Sequence, residues 1–253
     1  MPLDSELTAG PSSDIKRRVE QRVLVSGRAE LNNHSAALEA LTGSAVTSIR
    51  TYQMLMSIVS FPVTAFPPLA LGFFGLGTGY LIYGPQELFN FPARSEKVDL
   101  ATGVWGIWMP GFCQFLTGTY LFIGMAWFHS IVAAPLYMAA LAFTAYGVHW
   151  FAIGYNRQHG GHPHPNGFMA VSFTLISILG AIVFFKAGDA GVGGLFIGLT
   201  LIYLSDIMAT FKLGGPTIGQ RLLGFFHIGT GIWLMYLMFA VTLDFSVAFK
   251  WPV

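Results

Sequence analysis

The sequence predicts an all-α integral membrane protein with six transmembrane helices and an N-terminal amphipathic helical extension. Three observations carry that expectation. Of 253 residues, 54% are hydrophobic and only 10% are charged, against about 25% charged in a soluble domain. Mean hydropathy is +0.61. The apolar residues fall into long runs separated by short Gly/Pro or polar stretches, and a helix needs about 20 apolar residues to cross a bilayer. The formal net charge of +1 indicates no nucleic-acid partner. A single cysteine, Cys113, allows no intrachain disulfide and reads as a small buried hydrophobe.

Residues 1–13 read as a disordered tail. Residues 14–65 read as an amphipathic helical arm and interfacial lead-in. Ile15, Val19 and Val23 recur at helical spacing, with Lys16, Arg17, Arg18 and Arg22 among them. Leu38, Leu41, Ala45, Ile49 and Tyr52 follow in steps of three and four. Such faces suit a membrane surface or a membrane-protein partner reached through residues 14–60. No apolar core segment of a signal peptide precedes residue 50.

The six-helix membrane domain is expected over 66–247, followed by a C-terminal tail, 248–253. Its first span, Phe66–Tyr83, opens on Pro67 and Pro68, which suit the first turn of a helix. Glycines at 72, 75, 77 and 79 strip its surface for close helix approach. A polar loop, Gly84–Asp99, is expected next. Span two is Leu100–Phe128, broken by Pro110, and span three runs from about Val132 to Tyr155, joined to it by the short turn His129-Ser-Ile. A loop over Asn156–Asn166 precedes span four, Gly167–Lys186. Spans five and six are Gly191–Phe211 and Arg221–Val247. Ala190, Gly194 and Gly198 make a second small-residue face. Lys and Arg number eight on the side of the termini and five on the other. That bias favours a multi-pass protein of the cytoplasmic (inner) membrane with both termini cytoplasmic.

Polar side chains inside the spans are few. Gln114, Thr144, Tyr146 and Thr200 offer donors without fixed charge. Asp206 is the costliest, at about 2.5–3.5 kcal/mol on an insertion scale if central, and is a candidate proton or ion site. His149 and His227 are read as hydrogen-bonded packing rather than haem ligands, so no cofactor is expected. His159, His162 and His164 are read as a solvated loop rather than a metal site. No catalytic set is apparent, and an enzyme is not expected.

Four stretches carry a family resemblance: Phe66–Thr78, Gln114-Phe-Leu-Thr-Gly118, Ala142-Phe-Thr-Ala-Tyr-Gly-Val-His-Trp150 and Phe196-Ile-Gly-Leu-Thr-Leu201. Together they resemble the acetate–succinate permease family, small six-span proteins that carry acetate and related carboxylates. The resemblance implies a pore narrowed by Phe74, Tyr146 and Leu199, with the family's span-two Gln falling on Gln114; Thr78, Thr144 and Thr200 are expected as further hydroxyl donors along the path. It also implies a homo-oligomer, a hexamer in the family, acting as a channel or proton-coupled transporter for short-chain carboxylates. The family signature Asn-Pro-Ala-Pro-Leu-Gly reads Ala65-Phe-Pro-Pro-Leu-Ala70 here, and its span-two Glu falls on Leu121. Those departures and the long N-terminal arm leave an alternative open: a non-transporting scaffold or subunit built on the same fold.

Overall fold

A computed structural model describes residues 68–247, together with Arg18, Glu20, Arg22, Leu24, Gly27, Arg28, Leu38, Glu39 and Gly43. The chain divides into two units, Met1–Val59 and Ser60–Val253. In the first, the nine described residues are helical. The rest of the expected tail, arm and lead-in, and the C-terminal tail, lie outside the described residues.

The second unit is helical: α1 (Leu69–Phe89), α2 (Glu96–Gly106), a π-helical turn (Ile107–Phe112), α3 (Cys113–Ala126), α4 (Pro135–His159), α5 (His164–Lys186), α6 (Ala190–Thr210) and α7 (Ile218–Val247). No break separates α2, the π turn and α3, so they form one rod and the described residues of this unit make six rods. Among the described residues, four helices are long and apolar enough to cross a membrane: Pro135–His159, His164–Lys186, Ala190–Thr210 and Ile218–Ser246. With 38 large apolar side chains left exposed across the described surface, among them Phe168, Leu175, Ile182 and Phe239, this is the composition of a membrane protein rather than a soluble one.

The helix ends follow local chemistry. Pro68 precedes α1, and its carbonyl accepts from Gly72 N at 3.2 Å. Ser95 Oγ accepts from Val98 N at 3.3 Å, starting α2. Asp189 Oδ1 accepts from Val192 N at 2.8 Å, starting α6. Pro135 stands in the first turn of α4, which stops at Gly160, φ 69°.

Several expected boundaries are corrected. The loop expected over Gly84–Asp99 shrinks to 90–95, because α1 continues through Pro85 to Phe89 and stops at Asn90, φ 55°. Packing along α7 holds that extra turn and a half. The loop expected over Asn156–Asn166 is only 160–163, while the turn between α3 and α4 is longer than expected, 127–134. Pro110 does not break its rod. The missing N–H is absorbed in the π turn, a usual way for a helix to accommodate one.

The small-residue faces of α1 position this turn. A Cβ at Gly75 would lie 2.5 Å from the Met109 carbonyl oxygen, and one at Gly79 would lie 2.6 Å from Pro110 Cγ. The opposite side of α1 packs against α7, its most extensive contact, and α5 pairs with α6. On α6, a Cβ at Gly198 would lie 2.5 Å from Thr230 Oγ1 of α7, so that face also serves helix contact.

Candidate functional site: two end-to-end cavities

Two cavities lie inside the bundle, and α1, α4 and α6 line both. On α1 the sequence of lining residues is Phe73 and Leu76, then Tyr80, Tyr83 and Glu87. On α4 it is Phe143 and Tyr146, then His149, Trp150, Ile153 and Arg157. On α6 it is Phe196 and Leu199, then Ile202, Tyr203, Asp206 and Thr210. Steps of three and four, with the adjacent pairs His149/Trp150 and Ile202/Tyr203, keep each set on one helix face. On all three helices the chain passes from the first cavity to the second, so the three run parallel.

The first cavity is apolar, about 70 Å³. Gln114 of α3 enters its wall and is fully buried, and neither Nε2 nor Oε1 has a partner among the described residues. Such orphans are rare in native interiors. Asp189 stands on the cavity's wall at the start of α6.

The second cavity is polar, about 230 Å³. His227 of α7 meets Glu87 of α1 there, Nδ1 to Oε2 at 2.5 Å, and stacks on Tyr80 with ring centroids 4.5 Å apart. Asp206 accepts from the Thr210 hydroxyl at 3.3 Å. His149 Nδ1 lies 3.2 Å from the Tyr203 hydroxyl, while His149 Nε2 and Trp150 Nε1 are buried without a partner among the described residues.

Arg157 joins this cavity to the surface network. Its Nε donates to Asp99 at 3.1 Å, its other arm to Gln86 Oε1, and its guanidinium lies 4.8 Å over the Tyr83 ring. Arg94 donates to the same Asp99 at 2.9 Å. Partial burial works to raise the Asp99 carboxyl, but the two guanidiniums outweigh it and hold the group below its ordinary value of 3.8.

The boundary between the cavities falls at Leu76–Tyr80, Tyr146–His149 and Leu199–Ile202. Tyr80, Tyr146, Trp150, Leu199 and Tyr203 are all buried there. The Tyr146 hydroxyl is 2.9 Å from Ser177 Oγ, and its ring stacks with Tyr203 at 5.8 Å. This layer closes the apolar cavity toward the polar one.

Of the residues the sequence proposed, Tyr146, Leu199 and Gln114 line the apolar cavity and Asp206 the polar one. Phe74 is corrected: it is 42% exposed and lines neither cavity, and its neighbour Phe73, 3% exposed, takes the interior position. Adjacent helix positions differ by about 100°, so one residue decides which ring is inside. Thr144 faces a lateral groove beside Phe122 and Phe173. Thr200 donates to the Phe196 carbonyl of its own helix, and neither it nor Thr78 lines a cavity. His159 stacks on Tyr155 at 4.0 Å, whereas His162 and His164 pack edge to face.

Glu87 and Arg157 fall in the loops expected over Gly84–Asp99 and Asn156–Asn166, but the structure places both on helices. The signal that places them is the continuation of register, 76–80–83–87 on α1 and 146–150–153–157 on α4.

A solved structure, that of the bacterial acetate channel SatP, shares this fold with a TM-score of 0.59. The two chains are 17% identical, and the match covers 74% of this chain and 98% of that one. No protein-family model and no curated protein matches the sequence.

Proposed function

We propose that the chain is a distant member of the acetate–succinate permease family and passes short-chain monocarboxylates across the membrane through the two cavities. The observation that carries this reading is the lining stripe that runs along α1, α4 and α6 through both cavities and across the Tyr146–Leu199 layer between them. The shared fold with an acetate channel supports it. In this reading all six rods cross the bilayer, with α1 and the α2–α3 rod joining the four more apolar helices. The protein works as a channel or a proton-coupled carrier, in a homo-oligomer of the inner membrane with both termini cytoplasmic.

Electrostatics favours a small solute met by weak donors. Arg94 and Arg157 share one Asp99 at the polar end, and Glu87 and Asp206 line the same cavity, so no net positive charge holds an anion there. Deeper in, hydroxyls and an amide replace cations, so nothing binds tightly enough to trap the solute.

The test is uptake of radiolabelled acetate into liposomes containing the purified full chain. Protein-dependent, saturable uptake that Tyr146→Phe alters is expected. Uptake no greater than in empty liposomes would sink the reading. The absent family Asn and Glu favour the second reading, a scaffold, whose signature is a stoichiometric membrane-protein partner retained on purification from native membranes.

A further inference from the structure

Gln114 sets the chemistry of the apolar cavity. Its carboxamide offers an N–H donor and a carbonyl acceptor side by side, and in a fully buried position on the cavity wall neither has a partner among the described residues. The group that satisfies both is planar, with one donor and one acceptor. A carboxylate has acceptors only. It would engage Nε2 and leave Oε1 facing a second oxygen, with its own charge unpaired in a dry apolar chamber.

Nothing on that wall compensates a negative charge. No Lys, Arg or His lines the cavity among the described residues. Its titratable groups are Tyr146, whose hydroxyl is engaged with Ser177, and Asp189, whose carboxylate caps α6. Cys113, beside Gln114 on α3, is turned to the Trp108 carbonyl. Beyond the aromatic layer, Glu87 and Asp206 share the polar cavity with His227, Arg94 and Arg157, and both guanidiniums are already engaged with Asp99, so that cavity offers a leaving anion no unpaired positive charge. The space of about 70 Å³ is about five times what one water requires, which suits a solute of about four heavy atoms.

We infer that the apolar cavity takes its solute uncharged: Gln114 holds an undissociated short carboxylic acid, or equally a primary amide such as acetamide, through one donated and one accepted hydrogen bond. This rests on the transport reading above and narrows it to the neutral species.

Uptake of radiolabelled acetate and acetamide by liposomes containing the full chain, corrected for empty liposomes, tests it at about pH 5 and about pH 7. The neutral fraction of a carboxylic acid falls about tenfold per pH unit above its pKa. Acetate uptake at fixed total concentration is expected to fall about 50- to 100-fold across that interval, and acetamide uptake to stay constant. Gln114→Leu, which removes an unpaired buried amide rather than a made bond, is expected to lower both about tenfold with an unchanged thermal midpoint. Should that variant not fold, competition settles the point: acetamide is expected to inhibit acetate uptake in the unaltered protein. Acetate uptake that is independent of pH, exclusion of acetamide, or a folded Gln114→Leu variant with unaltered rates would each overturn the inference while leaving transport intact. Absence of protein-dependent uptake of both solutes at both pH values would overturn transport itself.

Discussion

His227 and Glu87 are 140 residues apart in the chain, yet Nδ1 of one lies 2.5 Å from Oε2 of the other, pinning α7 to α1 beside the polar cavity. Both side chains are about nine-tenths buried. Breaking such a pair by removing one partner costs about 3–5 kcal/mol, because the other group stays buried without compensation. Glu87→Ala is therefore expected to lower the thermal midpoint in detergent markedly. The double variant Glu87→Gln/His227→Gln should recover most of that loss, and a double-mutant cycle reads the coupling directly. Additive single effects would show that the two groups act independently.

The exchange of Phe74 for Phe73 gives a paired prediction. Phe73 contacts Phe143 with ring centroids 5.7 Å apart at the apolar cavity. Phe73→Ala should cost about 3–5 kcal/mol in stability and widen the cavity, raising protein-dependent solute flux. Phe74→Ala should leave flux within about twofold, since its ring lines neither cavity. Flux assays on the two variants, run beside thermal scans, decide it. An effect confined to Phe74→Ala would reverse the assignment.

Close helix approach can be tested at two glycines on different helices. Alanine gains about 1 kcal/mol over glycine in helix propensity. At Gly75 the added Cβ meets a backbone oxygen of the π turn at 2.5 Å, and backbone yields less readily than a side chain. Overpacking of this kind costs about 1–3 kcal/mol, so Gly75→Ala should destabilise. At Gly194 the nearest atom would be 4.0 Å away, so Gly194→Ala should hold or raise the midpoint.

The Arg94–Asp99–Arg157 network makes anchoring of α2 to α4 sensitive to acid. Asp99 titrates below its ordinary value in the folded chain. A carboxyl lowered on folding adds stability that is complete above its unfolded pKa and is lost as pH falls through the folded one. Protection of the 90–95 segment from protease or hydrogen exchange should hold at neutral pH and fall as pH drops below 3.8. Asp99→Asn should show the reduced protection already at neutral pH.

The sequence's reach can be traced residue by residue. Gln114 was legible as an isolated amide in a long apolar run, whereas Tyr146 and Leu199 came from the family resemblance; all three line one cavity. Glu87 and Arg157 were not legible, because Pro85 and the Asn/Gly/His-rich stretch after Tyr155 carry the local chemistry of loops. Helix packing outweighed that local preference and extended both helices by about a turn.

By itself, the sequence determined the solvent this protein requires and the secondary structure it adopts. An apolar chain poor in charge must satisfy its backbone within helices where lipid offers no partners. Only the tertiary structure decided which face of each helix looks inward. That choice placed Phe73 rather than Phe74 in the cavity, brought Glu87 to His227, and left Gln114 without a partner among the described residues. The physical reason is that in lipid both faces of a helix are apolar, so hydrophobicity cannot set its rotation. Small-residue contacts such as Gly75 and Gly79 against the π turn set it instead.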